Sequence, residues 1–391
     1  MDKIKIYQPK SYTNFKCTMN GCKNNCCQNW RIDIDKTTYE KYIGLEDELK
    51  NEITKHIGNF PDGSPRKYIK LTPNGYCPFL DDKGLCTLQL RFGYDFLCVV
   101  CKIYPRIACE VSGSPEYFVE LSCEAAVNHV LFEKKFMSFD EVEIDFETYK
   151  ATALNFTYAL DTKKYTQNSD GHNIFWKLRV ASVLTLQSRN YPIRFRMLLL
   201  CMFIQEIANL ITNNMDSKII THTDSYMERL ENGFYNELFK SVPDGAGREF
   251  DIVLDVLREV HRKHTMFKPI MDDIVNGFGI EPGSWKIPEN FDERYNNYYS
   301  MYLAKNEYVV ENYLVYRVLF EGFPFNYKAK SGIMNNYVEL YAKLNLIEFL
   351  ITGICRQHNK FDKRFICEAI SLFSRGYEHS PTKFFLEESD K

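Results

Sequence analysis

Hydrophobic and polar positions follow two rhythms along the chain. Trp30-Arg31-Ile32-Asp33-Ile34-Asp35 changes character at almost every residue, which predicts a short half-buried strand. Tyr42, Leu45, Leu49 and Ile53 then recur at helical spacing. A helix is expected there, from a cap at Thr37 or Thr38 to about Ile57, stopped by Gly58-Asn59-Phe60-Pro61. Asp33 and Asp35 stand ready to cap it. The remainder of the first 125 residues is rich in Pro and Gly and reads as loops.

From about residue 124 the helical rhythm dominates and strand patterns are sparse. Helices are expected over Asn173–Gln187, Ile193–Thr212 (opened by Pro192), Arg248–Lys263, Pro269–Asn276, Asp292–Lys305, Glu307–Phe320, Ile333–Ile354 and Phe361–Tyr377. The pattern therefore predicts a mainly α fold. A small loop-rich cysteine domain with minor β, residues 1–125, packs on a larger all-helical domain, residues 126–380, and a flexible tail follows at 381–391.

Charge narrows the function classes. With 49 Lys and Arg against 52 Asp and Glu, the net charge of −3 excludes a strongly basic nucleic-acid binder. The first ten residues hold no apolar run, and the longest apolar run, Met197 to Ile204, is too short to span a bilayer. A cytoplasmic protein without membrane insertion is expected.

The cysteines change the picture most. Of 13, ten fall at positions 17, 22, 26, 27, 77, 86, 98, 101, 109 and 123. In a reducing compartment such density points to metal or redox chemistry rather than to disulfides. The spacings Cys17-x4-Cys22-x3-Cys26-Cys27 and Cys98-x2-Cys101 let pairs of thiolates reach one centre from a single turn, with distant groups closing the site. Only His56 and His129 lie nearby, so all-thiolate ligation is favoured, whether of zinc or of an iron–sulfur cluster. Neighbouring side chains diverge, so Cys26 and Cys27 are not expected to bind one metal together. A zinc knuckle that only folds the loops accounts for the same spacings.

The order Cys-x4-Cys-x3-Cys-Cys-x2-Trp-x-Ile-x-Ile-Asp, then Cys77-Pro-Phe-Leu, Gly84-Leu-Cys86, Cys101-x-Ile-Tyr-Pro-Arg106 and Leu121-Ser-Cys123-Glu-Ala-Ala, resembles the flagellin lysine-N-methylase family (FliB type). That family shares its cysteine pattern with a wider group of zinc- or iron-chelating domains. Leu186-Gln-Ser-Arg-Asn-Tyr-Pro192 followed by Arg196 is similar to the family's mid-chain helix pair, and Glu311-Asn-Tyr-Leu314 with Phe323-Pro324 to its C-terminal signature. One departure is Glu124, where the family usually has a proline after the cysteine.

The resemblance implies methyl transfer from S-adenosylmethionine to lysines of flagellin or a similar surface protein, with a cluster of the [4Fe-4S] type or, alternatively, zinc. It implies a ligand pool of Cys17, Cys22, Cys26, Cys27, Cys77, Cys86, Cys101 and Cys123; Cys98 joins the expected set, while Cys109 matches less well. Such chemistry needs a neutral amine, a group to take its proton and aromatic faces for the sulfonium donor. The tyrosine-rich stretch Tyr295–Tyr316, with Glu307 and Glu311, offers these, or else is two amphipathic helices with tyrosines at the edge of the core. Glu311, Tyr313 and Arg106 are the catalytic candidates, and Arg106, Tyr308 and Tyr313 the cofactor-binding ones. Arg189 and Arg196 read as braces between helices. Neither a Gly-x-Gly-x-Gly loop after a strand nor Cys-x3-Cys-x2-Cys occurs, so a doubly wound cofactor domain and common radical chemistry are not expected. A non-catalytic zinc- or iron-binding interaction module is the competing expectation.

Overall fold

Eight strands and a succession of helices make up the described part of a computed structural model, residues 3–145, 156–165, 170–242, 250–281, 283–327 and 332–377. The tail expected at 381–391 lies outside the described residues. The strands are β1 Lys3–Pro9, β2 Ile32–Ile34, β3 Ile57–Asn59, β4 Lys67–Ile69, β5 Arg106–Val111, β6 Ser114–Val119, β7 Phe139–Asp145 and β8 Phe156–Leu160. The fold is mainly α, as the pattern predicts.

A five-stranded mixed sheet runs in the order β7-β1-β6-β5-β8. The β5–β6 hairpin closes through Ser112 and Gly113, both at positive φ (45° and 87°), the backbone of a tight turn matched to strand twist. β1 pairs with β7 along its whole length, Lys3 opposite Asp145 and Pro9 opposite Phe139. β7 and β8 are strands that the sparse pattern after residue 124 did not predict, and the sheet draws on both sides of residue 125.

A smaller sheet, ordered β2-β4-β3, carries the cysteine loops. The alternation at Ile32–Ile34 forms the expected strand, with both isoleucines buried. The helix expected to run to Ile57 is two helices, Lys36–Ile43 and Asp47–Thr54, because the backbone turns extended at Glu46 (φ −57°, ψ 150°), two residues after the Gly44 cap, and Ile57 opens β3 instead. Its cap is Asp35 rather than a threonine: one carboxylate oxygen accepts the Thr38 N–H at 2.9 Å. The other accepts the Val99 N–H at 2.9 Å, which ties the first cysteine region to the segment that begins at Cys98.

The long helices match expectation closely: Gly171–Leu186, Ile193–Thr212, Phe250–Lys263, Lys268–Gly277, Glu307–Phe320, Ile333–Gln357 and Lys363–Tyr377. Ile219–Glu231 is an additional one. The helix expected over Asp292–Lys305 ends at Tyr298 and continues as a π-helical turn, Tyr299–Leu303. Ile193–Thr212, which contains the eight-residue apolar run, is the only helix among the described residues long and apolar enough to cross a membrane. Here its Arg194 pairs with buried Glu348 at 2.5 Å, and its Arg196 with buried Glu311 at 2.8 Å.

Sheet and helices share one core. The buried Arg179 guanidinium donates two bonds to Glu116 of β6, at 2.6 and 2.8 Å, and a third to the Leu319 carbonyl. Tyr316 receives the Val119 N–H at 2.9 Å and donates to the same residue's carbonyl. Both contacts lock the helix Glu307–Phe320 across the sheet.

Candidate metal centre and adjoining cavity

All thirteen cysteines are free thiols. Backbone bonds gather the distant ones. The Cys77 N–H donates to the Cys27 carbonyl at 2.8 Å, and Leu80 and Cys86 form an isolated bridge that closes the loop between them. Asn25 accepts the Cys27 N–H at 2.7 Å and donates to the Gly84 carbonyl at 2.9 Å. Trp30 donates to the Cys26 carbonyl at 2.6 Å.

The result is a group of six thiols, Cys26, Cys27, Cys77, Cys86, Cys98 and Cys101, close enough to influence one another's ionisation. Two pairs share hydrogen bonds. Cys27 bonds to Cys26 and holds its thiol down at about 7, helped by the Arg375 guanidinium; Cys27 itself is driven up by that same bond and by burial. Cys98, bonded to Cys101, likewise lies below the ordinary thiol range and Cys101 above it. Burial pushes Cys77 up to about 12, but the Phe79 N–H points at its sulfur, and Cys86 receives the N–H groups of Leu88 and Gln89.

A second group contains Cys17, Cys22 and Cys123, with Cys367 from the last helix. Thr18 and Cys22 share a hydrogen bond at 3.1 Å. Cys109 belongs to neither: it is fully buried in β5, near Arg179 and Tyr316. Among the described residues no three His, Cys, Asp or Glu side chains are arranged to hold an ion as they stand. The donor set nevertheless fits a thiolate-bound centre in its chemistry: sulfur donors, burial, and backbone N–H groups aimed at the sulfurs.

Three residues fasten the first cysteine loop to the helices. Glu124 accepts the Lys23 and Asn24 N–H groups at 3.1 and 2.7 Å. Glu368 accepts from the Asn24 amide at 3.2 Å. Arg375 donates to the carbonyls of Asn24, Asn25 and Ser122 at 3.0, 3.2 and 2.8 Å.

Beside this latch lies a cavity of about 580 Å³, of the size that small ligands occupy. Cys26, Trp30, Tyr104, Glu120, His264 and Arg375 are on its wall. The Trp30 and Tyr104 rings lie 5.9 Å apart, tilted by 34°. Burial, and secondarily Lys263, holds the His264 imidazole below its usual range. Its Nε2 is buried and has no hydrogen-bond partner. A second cavity of about 510 Å³ borders Cys22, Glu124, His129 and Cys367.

The other residues singled out from sequence lie elsewhere. Arg106 lies 5.0 Å from the Phe15 ring centre and 5.7 Å from that of Tyr12. Glu311 is fully buried between Arg189 and Arg196, both of which act as the braces expected. Tyr313 is buried near Arg317, and Tyr308 is half-buried beneath Lys134. None of these four borders either cavity. Tyr295, Tyr299, Tyr302 and Tyr316 are core residues. Trp30 and Tyr104 stand within the cysteine motifs and were within reach of sequence reading, whereas His264, Arg375 and Cys367 are isolated on helices and carry no spacing signal.

Comparison with known proteins points to the same family as the resemblance. A family model described as the FliB lysine N-methylase C-terminal domain matches residues 179–389, more than half of the chain. Lysine-N-methylases of Salmonella choleraesuis and Salmonella typhimurium are each 29% identical over 157 residues, 39% of this chain and 39% of theirs. The chain thus spans about two fifths of the length of those relatives. Flagellar biosynthetic protein FliU of Salmonella muenchen is 29% identical over 144 residues, 36% of this chain and 85% of that protein. No solved structure matches. The family match over the C-terminal helices, joined to the cysteine order of the N-terminal third, makes this chain a member of the FliB lysine N-methylase family.

Proposed function

We propose that the protein is a cytoplasmic protein-lysine N-methyltransferase. It transfers methyl from S-adenosylmethionine to lysine side chains of flagellin or a similar surface protein, beside an iron–sulfur cluster held by the N-terminal thiols. The observation that carries this reading is the cavity, which is lined by Cys26 and Trp30 from the cysteine-rich third and by His264 and Arg375 from the family-matched segment. The names of the relatives support a lysine acceptor and a flagellar substrate, and the donor is the one the family resemblance implies.

In this reading three thiolates drawn from Cys26, Cys27, Cys77, Cys86, Cys98 and Cys101 would hold the cluster, and the iron left open would supply a position for the donor's amino and carboxylate groups. The rings of Trp30 and Tyr104 offer negative π-faces to a sulfonium. Phe267 and Leu372 supply apolar wall, which favours the uncharged form of an entering lysine amine. Transfer forms a nitrogen–carbon bond as the sulfur–methyl bond breaks, and its electron pair stays on sulfur. Only a deprotonated amine has the lone pair for this, and about one free lysine in a thousand is deprotonated near neutral pH.

The test is incubation of the purified, iron-containing protein with methyl-labelled donor and flagellin, followed by lysine analysis. Label on lysine is the expected result. Absence of label, with iron and fold intact, would leave a metal-binding interaction module as the surviving account.

A further inference from the structure

We infer that the protein methylates itself, at Lys263. This deepens, and rests on, the methyltransferase reading, in which the donor lies in the cavity beside the cysteine loop. Lys263 ends the helix Phe250–Lys263 and opens a connector whose five residues, Lys263 to Phe267, all border that cavity. Among the described residues of the lining it is the one that carries an amine; Lys23 and Lys363 border the second cavity instead.

The salt bridge that holds this amine at the rim yields easily. Lys263 Nζ lies 2.7 Å from a carboxylate oxygen of Glu259, one turn back on the same helix. The same carboxylate accepts two bonds from Arg262, from Nε at 2.9 Å and from Nη2 at 2.7 Å. Glu259 therefore keeps a bidentate partner when the lysine leaves it. An exposed pair at this helical spacing shifts the balance by only about twofold. The Lys263 side chain is 30% exposed, so its flexible stem turns through solvent rather than through packed core.

The lining suits the ammonium once it turns inward. The rings of Trp30 and Tyr104 attract a cation, and Glu120 brings the opposite charge. The like charge, Arg375, is spent on three backbone carbonyls. Tethered at the rim, the amine has an effective concentration in the millimolar range, about a thousandfold above that of lysines on other copies at micromolar protein. The ammonium gives a proton to water. The freed lone pair then forms the nitrogen–carbon bond as the sulfur–methyl bond of the donor breaks. The electron pair of that bond stays on sulfur, so the sulfonium becomes a neutral thioether and Lys263 a methylammonium.

The experiment incubates the purified, iron-containing full chain with methyl-labelled S-adenosylmethionine, with and without flagellin, and locates the label by peptide mass spectrometry. Without flagellin, label is expected on Lys263 at least about tenfold above that on Lys23, Lys363 or any other lysine, since those are reached only from other copies. A tethered reaction is first order, so the rate constant should hold within about twofold when the protein is diluted about tenfold. Lys263→Arg keeps the charge but has no amine to methylate, and should lose the self-label with iron content and thermal midpoint retained. Flagellin labelled while Lys263 carries no methyl group overturns the assignment. So do equal labelling of the exposed lysines and a rate constant that falls on dilution, both of which mean transfer between molecules. Label on Lys263 with none on flagellin upholds the assignment and points to a different protein substrate. If neither is labelled, with iron and fold intact, the methyltransferase reading fails and the assignment falls with it.

Discussion

Arg375 donates from Nη2 to the carbonyl of Asn24 at 3.0 Å, so a residue of the last helix fastens the first cysteine loop across 351 positions of sequence. Two further carbonyls, those of Asn25 and Ser122, share the same guanidinium. A planar fork of five N–H groups can serve three acceptors in fixed directions, whereas a lysine ammonium is a single point on a flexible stem.

Arg375→Ala should therefore loosen the loop that carries Cys22, Cys26 and Cys27. Each charged hydrogen bond is worth about 1.5–3 kcal/mol, and Arg375→Lys should recover little. On the proposed cluster-bound reading, the expected signature is loss of iron with helical circular dichroism almost unchanged. Iron retained at the wild-type level in Arg375→Ala would show that the latch does not hold the centre.

Cys101 and Cys109 make a matched contrast. Cys101 sits on the turn Val99–Ile103 and bonds to Cys98 within the six-thiol group. Cys109 is fully buried in β5 and faces Arg179 and Tyr316 instead. On the proposed cluster-bound reading, Cys101→Ala should lose most of the iron, while Cys109→Ala should keep it and lose only about 1 kcal/mol or less of stability, the scale of a small buried truncation. Iron analysis of the two proteins side by side decides it, and the reverse order would relocate the centre.

These contrasts also show how far the sequence could be read. The bounds Ile193–Thr212 and Glu307–Phe320 are legible to the residue: the first buries one stripe of a long apolar helix, and the second is buried on every face from Val309 to Phe320, too long an apolar run for a strand. β7 was missed because its strand character depends on pairing with β1, more than a hundred residues away. The single helix expected through Ile57 is interrupted at Glu46, whose extended backbone starts a second helix at Asp47, a break that the apolar spacing of Leu45, Leu49 and Ile53 does not reveal. Thiol density pointed to the six-thiol group of Cys26, Cys27, Cys77, Cys86, Cys98 and Cys101. The cavity beside it is built from Trp30, Tyr104, His264 and Arg375, which meet only through tertiary packing. The tyrosine-rich stretch looked like a pocket and is core, since a tyrosine whose hydroxyl finds a partner, as Tyr316 does on Val119, packs as well as phenylalanine.

Glu311 is fully buried between Arg189 and Arg196, with contacts of 2.8 Å to each. Glu311→Gln removes the charge and leaves Arg196 buried without it. The expected cost is about 3–5 kcal/mol, typical of breaking a buried pair on one side. Methyl transfer per folded molecule should not change, because Glu311 does not border either cavity. Denaturant unfolding gives the first quantity and kcat the second; a large fall in kcat with stability preserved would return Glu311 to the candidates for catalysis.

Buried phenols set the alkaline limit. Burial raises Tyr12 to about 12 from its ordinary 10, and pushes Tyr226, Tyr316, Tyr327 and Tyr337 upward for the same reason. A phenol whose folded pKa exceeds its unfolded one stays protonated longer in the native state. Above pH 10 the unfolded chain therefore holds fewer protons, and stability falls as pH rises. Below pH 10 the phenols are protonated in both states and have no effect. Each unit of difference per group is worth about 1.4 kcal/mol, lost in full once pH has risen through the folded pKa. Several such groups should make the loss steep, with cooperative unfolding between pH 10 and 12. Phenolate absorbance of the buried tyrosines and loss of circular dichroism should then move together, in one step. Smooth titration of all phenols with circular dichroism unchanged past pH 12 would mean that these side chains are far more open to water than their packing here.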